Sequence, residues 1–155
     1  MMREGPGPGP SLASGSSRHR MAGSVPPMDW TPAGLLAADA VAQDLGVELV
    51  ATDPLTLALS VTERHTNFLG VTHGGVTYTL ADIALSLASN AGGTRSLMVD
   101  SHLVATGGSS PGDRLTAVVT PITEGRTLAS YGIEVRRSDG RIVGSFTGTV
   151  LRRPA

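Results

Sequence analysis

The sequence has no cysteine among its 155 residues, so it can form neither a disulfide framework nor a thiolate metal site. It also lacks lysine, since all twelve basic residues are arginine. Thirteen acidic residues bring the net charge to -1, which argues against a general nucleic-acid binder. Because His19, His65 and His102 show no metal-ligand spacing with any carboxylate, we expect no metal. We also predict no cofactor.

Long apolar runs are absent too. No uninterrupted stretch approaches the ~20 residues of a membrane span, and the N-terminus lacks the apolar region of a secretory signal. We therefore expect a cytoplasmic protein with neither a membrane nor a nucleic-acid partner. Aromatic residues make up only 3% of the chain, so no aromatic cluster for stacking a phenyl ring is visible.

The first 28 residues differ in composition from the rest of the chain. They are mostly glycine, proline and serine, and the alternating Gly-Pro run over residues 5–10 can hold neither a helix nor a strand ladder. We predict a disordered tail over residues 1–28 and a single domain over residues 29–155. The 40% hydrophobic content of the chain is enough for a core.

Local patterns predict the elements of this domain. Thr31-Pro32 begins a helix of about 14 residues that ends at Gly46. Two runs, residues 47–52 and 55–61, form a hairpin. Further strands are predicted over residues 96–104, 114–122, 127–137 and 141–152, with a turn at residues 138–140 between the last two.

A helix of about 18 residues and roughly 27 Å is predicted between the glycine pairs Gly74-Gly75 and Gly92-Gly93. It is apolar on nearly all sides, so we expect it inside a sheet. Its one polar seam centres on Asp82, and an acid there is either paired or functional. The seam also contains Gly75, Tyr78, Thr79, Ser86 and Ser89. The order of elements predicts an α+β fold, with an antiparallel sheet curled around this helix.

The motif at the helix start resembles a known family. It reads Asn67-Phe68-Leu69-Gly70-Val71-Thr72-His73-Gly74-Gly75 and is followed by Leu80-Ala81-Asp82. This pattern is similar to the hotdog-fold acyl-CoA thioesterases of the phenylacetic-acid-degradation (PaaI) type, over about residues 33–152. The resemblance implies a hotdog fold, homodimers with active sites between subunits, and dimers that commonly pair into tetramers.

Carried over to this sequence, the family pattern makes Asp82 the catalytic carboxylate and the Gly74 N–H the donor to the thioester carbonyl. Asn67 and His73 are then the residues that place substrate or water. Gly75 leaves the helix start open to a ligand. Ser86, one turn after Asp82, is a candidate for holding the water. Candidates for the CoA phosphates are Arg126, Arg136 and Arg137.

Elementary chemistry agrees with these roles. Thioester hydrolysis places negative charge on the carbonyl oxygen, which a free N–H at a helix N-terminus stabilises. Gly74 and Asp82 are separated by roughly 12 Å of helix, which is too far for both to act on one carbonyl carbon. The acid that faces Gly74 is therefore expected to come from a second subunit. Asp82 is either a general base or a nucleophile that forms a mixed anhydride.

Structural alternatives exist for each candidate residue. Asp82 is otherwise a structural acid held by Thr79 or by backbone groups, His73 a helix cap, and Asn67 a turn residue. Ser86 and the three arginines are otherwise core or solvated residues. For function, the first hypothesis is hydrolysis of aryl- or medium-chain acyl-CoA. The alternatives are a non-catalytic acyl-CoA-binding or regulatory protein and, less favoured, a hydroxyacyl-thioester dehydratase.

Overall fold

The structure, a computed structural model, describes residues 27–153. The tail predicted over residues 1–28 therefore lies, except for its last two residues, outside the described part of the chain. The helices are α1 Pro32–Ala38, α2 Ala40–Leu45 and α3 Gly74–Asn90. The strands are β1 Val47–Thr52, β2 Leu55–Ser60, β3 Arg95–Ala105, β4 Arg114–Glu124, β5 Leu128–Arg137 and β6 Ile142–Arg153.

The N-terminal helix is the one element whose prediction is wrong, because the chain breaks at Asp39 into α1 and α2. The Asp39 backbone is extended (φ -87°, ψ 103°), and its carboxylate accepts the N–H of Ala42 at 2.9 Å. An aspartate that caps a new helix in this way competes with continuation of the old one. The predicted start and end are confirmed: Thr31 caps α1 and Gly46 ends α2 at φ 73°.

All six strands form one antiparallel sheet in the order β1-β2-β4-β5-β6-β3. The hairpin of β1 and β2 is confirmed, as is the turn between β5 and β6, where Gly140 has φ 83°. Strands β1 and β3 are the two edges of the sheet. The helix α3 packs against β2, β3, β4, β5 and β6, which confirms the α+β arrangement of a sheet wrapped around one long helix.

The core lies between α3 and the sheet. Side chains of the helix are almost fully buried against side chains of the central strands; they include Leu80, Ala84 and Leu85 from α3 and Leu57, Ile133 and Phe146 from the sheet. After Asn90 the chain reverses through Gly92 and Gly93, both at positive φ, as the glycine pair predicts. The helix is thus fixed along its whole length, and a residue on it cannot shift relative to its neighbours without disturbing the core.

We predict that Gly148→Ala destabilises the fold. A Cβ at Gly148 on β6 would lie 2.5 Å from Cδ2 of Leu85 and 2.9 Å from Cε1 of Phe146, and both side chains are buried. Overpacking of this kind lowers the free energy of unfolding by about 1–3 kcal/mol. Urea denaturation measures the change. In the control Gly108→Ala the added Cβ meets no atom within 4 Å, so equal destabilisation by both variants would contradict this packing.

Candidate active site

The start of α3 presents one free backbone donor. His73 is the N-cap, and its Nδ1 accepts the N–H of Gly75 at 2.8 Å. The N–H of Gly74 has no hydrogen-bond partner within residues 27–153. A Cβ added at Gly74 would meet nothing within 4 Å, whereas one at Gly75 would lie 2.9 Å from the His73 ring. Of the two glycines expected to be open to a ligand, only Gly74 offers its N–H.

The residues just before α3 are tied to neighbouring loops. The N–H of His73 donates to the carbonyl oxygen of His65 at 2.8 Å, and that of Thr72 donates to the carbonyl oxygen of Ser109 at 2.8 Å. The hydroxyl of Ser109, which is buried, also donates to Oγ1 of Thr72 at 2.6 Å. These bonds hold the Gly74 N–H in place before any ligand arrives, which is how a catalytic donor avoids reorganisation. The sequence did not predict that His65 or Ser109 supports the helix start.

Asn67 organises a turn ahead of the helix. Its Oδ1 accepts the N–H of Leu69 at 2.9 Å, and its own N–H donates to the carbonyl oxygen of Val71 at 2.8 Å. Gly70 closes the turn at φ 74° with an N–H bond to the Asn67 carbonyl oxygen at 3.0 Å. These bonds are those of the turn residue that was the structural alternative for Asn67. A role of Asn67 in placing substrate stays a prediction.

Asp82 lies half-buried two turns further along α3, on the wall of a cavity of about 250 Å³. Its carboxylate has neither a hydrogen bond nor an ion pair with any group in the described part of the chain. Thr79, the partner considered from sequence, donates instead to the carbonyl oxygen of Gly75 at 2.7 Å. Ser86 is exposed beside Asp82 on the same wall. The rest of the wall is mainly apolar and includes Ile83, Leu85, Leu97, Met98 and Val150.

A second carboxylate shares this cavity. Burial raises the pKa of Asp82 above its ordinary value, and the nearby Asp39 raises it further. Asp39 was not predicted as a site residue, because a continuous helix was predicted across it. The signal that would have identified it is its residue type, since aspartate is a preferred N-cap. An acid with a raised pKa and no stabilising partner is typical of a reactive group rather than a structural one.

The structure divides the candidate residues into two groups. Asp82 and Ser86 lie at the cavity, whereas Asn67, His73 and Gly74 lie at the start of the helix. Eight positions of helix separate Gly74 from Asp82, which corresponds to about 12 Å. One chain therefore does not bring the donor and the acid together.

The three candidate arginines are also dispersed. Arg136 donates to Glu134 at 2.5 Å, and Arg137 donates to Asp139 and to the carbonyl oxygen of Gly108. Both lie at the end of β5, which runs from Leu128 to Arg137, and Arg126 lies in the turn before its other end. A strand of this length separates the two positions by about 30 Å. Within one chain, the three arginines do not form a single phosphate site.

Similarity to known proteins identifies the family. Residues 69–143 match the family model described as Thioesterase superfamily. A protein of Deinococcus radiodurans that carries an esterase name is 42% identical over 115 residues, which cover 72% of this chain and 78% of that protein. The chain belongs to the thioesterase superfamily. The thioester hydrolase predicted from the sequence is thereby confirmed as an enzyme class.

Two further matches specify the kind of thioesterase. The protein of Escherichia coli named acyl-coenzyme A thioesterase PaaI is 28% identical over 112 residues, covering 71% of this chain and 80% of that protein. The solved structure of the E. coli PaaI protein from the phenylacetic acid degradation operon superposes with a TM-score of 0.76 at 26% identity, covering 79% of this chain and 91% of that one. These matches confirm the hotdog fold and the PaaI-like resemblance of this thioesterase.

Residues 27–153 contain neither a membrane-spanning helix nor a cluster of metal-binding side chains. No helix there is long and apolar enough to cross a membrane. The same residues contain no group of three or more histidine, aspartate or glutamate side chains placed to hold a metal ion.

We predict that Asp82→Asn makes the thioesterase more stable near pH 7. An aspartate with a raised folded-state pKa binds its proton more tightly when folded, so stability falls as the pH rises through the window between the unfolded and the folded pKa. Asn removes this loss, so the melting temperatures of the variant and the wild type should diverge as the pH rises above the ordinary aspartate pKa of about 3.9.

The control for this prediction is Asp44→Asn, which replaces an exposed acid of α2 outside the cavity. Its melting curves should follow those of the wild type across the pH range. If Asp82→Asn were less stable than the wild type near pH 7, the carboxylate would have to be stabilised in the folded protein, and the assignment of an unpaired buried acid would be wrong.

Proposed function

We propose that this thioesterase hydrolyses acyl-CoA thioesters, with aryl or medium-chain acyl groups, to the free acid and CoA. The observation that carries the proposal is the Asp82 carboxylate, which has no partner among residues 27–153, on the wall of a cavity that is lined in part by apolar side chains. An apolar cavity suits an acyl chain, and the acid supplies the chemistry. The name of the E. coli relative, acyl-coenzyme A thioesterase PaaI, supports CoA as the thiol. So does the name of a mouse protein that is 26% identical over 108 residues, acyl-coenzyme A thioesterase 13.

In the proposed reaction the Gly74 N–H donates to the thioester carbonyl oxygen and stabilises the negative charge that develops there. As a general base, Asp82 takes a proton from water while the water oxygen attacks the carbonyl carbon. The C–S bond then breaks and the thiolate leaves. As a nucleophile, Asp82 attacks the carbon itself, and water hydrolyses the resulting mixed anhydride. A raised pKa makes Asp82 the stronger base.

We further propose that the site forms between two subunits, with Asp82 from one chain and Gly74 from its partner. Their separation of about 12 Å on one rigid helix supports this, because one carbonyl cannot contact both. The edge strand β3 exposes Leu97, Val99 and Val104. An exposed apolar edge pairs readily with another chain, so β3 is a suitable dimer interface, and Leu97 also lines the Asp82 cavity. Pairing of two such dimers would give the homotetramer expected from the family resemblance.

The remaining candidates take supporting roles in this proposal. Ser86 holds the attacking water beside Asp82, and His73 fixes the helix start by capping Gly75. Asn67 shapes the turn at the entrance. Arg126 is exposed and suits the CoA phosphates, whereas Arg136 and Arg137 already pair with acids of the same chain. We propose that residues 29–155 act as one domain in the cytoplasm and need no cofactor.

We predict that Asp82→Asn abolishes turnover and retains binding. Loss of a positioned base or nucleophile lowers kcat by about 10²–10⁴, while Asn keeps the shape of the cavity. Thiol release from a panel of aryl- and medium-chain acyl-CoAs measures turnover, and calorimetry with CoA thioesters measures binding. Asp44→Asn is the control and should keep wild-type rates.

Two results would contradict the proposal. Absence of thiol release from every acyl-CoA by the folded wild-type oligomer, combined with tight binding, would indicate a non-catalytic binding protein. Wild-type turnover by Asp82→Asn would make Asp82 a structural acid.

A further inference from the structure

Two large apolar side chains are exposed to solvent near the start of α3. Phe68 is 96% exposed and its neighbour Leu69 is 71% exposed, at the tip of the turn that precedes α3. Isolated exposed apolar residues are common, but a nearly fully exposed Phe next to an exposed Leu forms a patch that suits an interaction. We call Phe68 and Leu69 the apolar tip.

The apolar tip is held rigidly. The Asn67 side chain and the Gly70 N–H close the turn with hydrogen bonds of 2.9 and 3.0 Å, and Thr66 pairs with Thr72 as a backbone bridge across its base. The exposure of Phe68 is therefore a fixed feature of the turn. Thr72 directly precedes the N-cap His73 and is bonded to Ser109, so the base of the turn is also fixed beside the helix start.

The position of the tip decides which surface it meets. This inference rests on the proposed two-chain site, in which the Gly74 N–H of one chain lies at the Asp82 cavity of its partner. Phe68 precedes Gly74 by only six residues in the same rigid unit, so it approaches that cavity together with Gly74. The cavity walls include Leu97, Met98 and Val150, and no aromatic residue of the described chain lines them. Contact between the exposed apolar tip and the apolar side chains of the wall would remove both from water, which is favourable.

We propose that the apolar tip of one subunit covers the Asp82 cavity of a second copy of this chain, where Phe68 forms a wall of the acyl site and sets the acyl preference. In this arrangement, the tip closes the cavity around the acyl group, and its ring supplies the aromatic contact that the cavity itself lacks. An edge or face contact with an aromatic ring favours planar aryl groups over flexible chains.

The absence of cysteine permits a test of the position that does not depend on activity. Chains carrying Phe68→Cys and chains carrying Met98→Cys, each with a different affinity tag, are co-expressed, and the mixed oligomer is purified and treated with a short bis-maleimide. The expected result is a cross-link between the two chains. Mixed oligomers of Phe68→Cys with Val50→Cys are the control and should give none, because Val50 lies on β1 at the opposite edge of the sheet.

Lack of a cross-link in oligomers that contain both chains would overturn the proposal. Protection of the Phe68→Cys thiol from maleimide without an inter-chain cross-link would mean that another segment covers the tip, and would overturn it too. A cross-link in a protein that hydrolyses no acyl-CoA would uphold the position of the tip while the proposed function fails, so the two failures are distinguishable.

The acyl preference is tested with Phe68→Ala. We predict that kcat/KM for benzoyl- or phenylacetyl-CoA falls by about tenfold relative to kcat/KM for hexanoyl-CoA. Phe68→Tyr keeps the ring and should therefore keep the wild-type ratio. The control is Val50→Ala, at another exposed apolar residue, which should also leave the ratio unchanged. The oligomeric state is measured by light scattering in parallel. An unchanged ratio in Phe68→Ala would contradict the role in acyl preference.

Discussion

An α-helix advances about 1.5 Å per residue, and this rise fixes the separation between Gly74 and Asp82 on α3. The helix is enclosed by five strands and its apolar sides are buried, so it cannot bend to bring the two residues together. The donor lies at the helix start and the acid two turns further along. Two chains that face each other would explain three features together. These are the cavity at Asp82, the free N–H at Gly74 and the exposed edge strand β3.

The rest of the fold maintains this helix and its reactive groups. His73 binds the Gly75 N–H and leaves the Gly74 N–H free, while Ser109 holds the chain just before it. At the other end, Asn90 accepts the N–H of Ser96 at 2.8 Å and so ties the helix end to β3. Asp82 has no partner among residues 27–153 and lies near Asp39, which lowers the stability of the fold to some extent. Such a loss is typical of functional sites, where reactivity and stability compete.

Much of this arrangement could be predicted from the sequence because its signals are local. The two glycine pairs mark both ends of α3, and the alternating runs mark the strands. The break at Asp39 could not be predicted from periodicity, since side-chain capping competed with helix continuation. The pairing of Arg136 and Arg137 and the exposure of Phe68 depend on which groups the fold brings near, and a linear pattern does not contain that information.

Subunit complementation tests whether each site takes its acid and its donor from different chains. Gly74→Pro removes the donor and keeps the helix start, because proline suits the first helical residue and His73 already has the extended backbone (φ -62°, ψ 133°) that a following proline requires. Oligomers of Asp82→Asn alone or Gly74→Pro alone should be inactive. Purified mixed dimers contain one site with both groups intact, so they should recover about half of the wild-type activity. Mixed dimers that contain both chains and remain inactive would contradict the two-chain site.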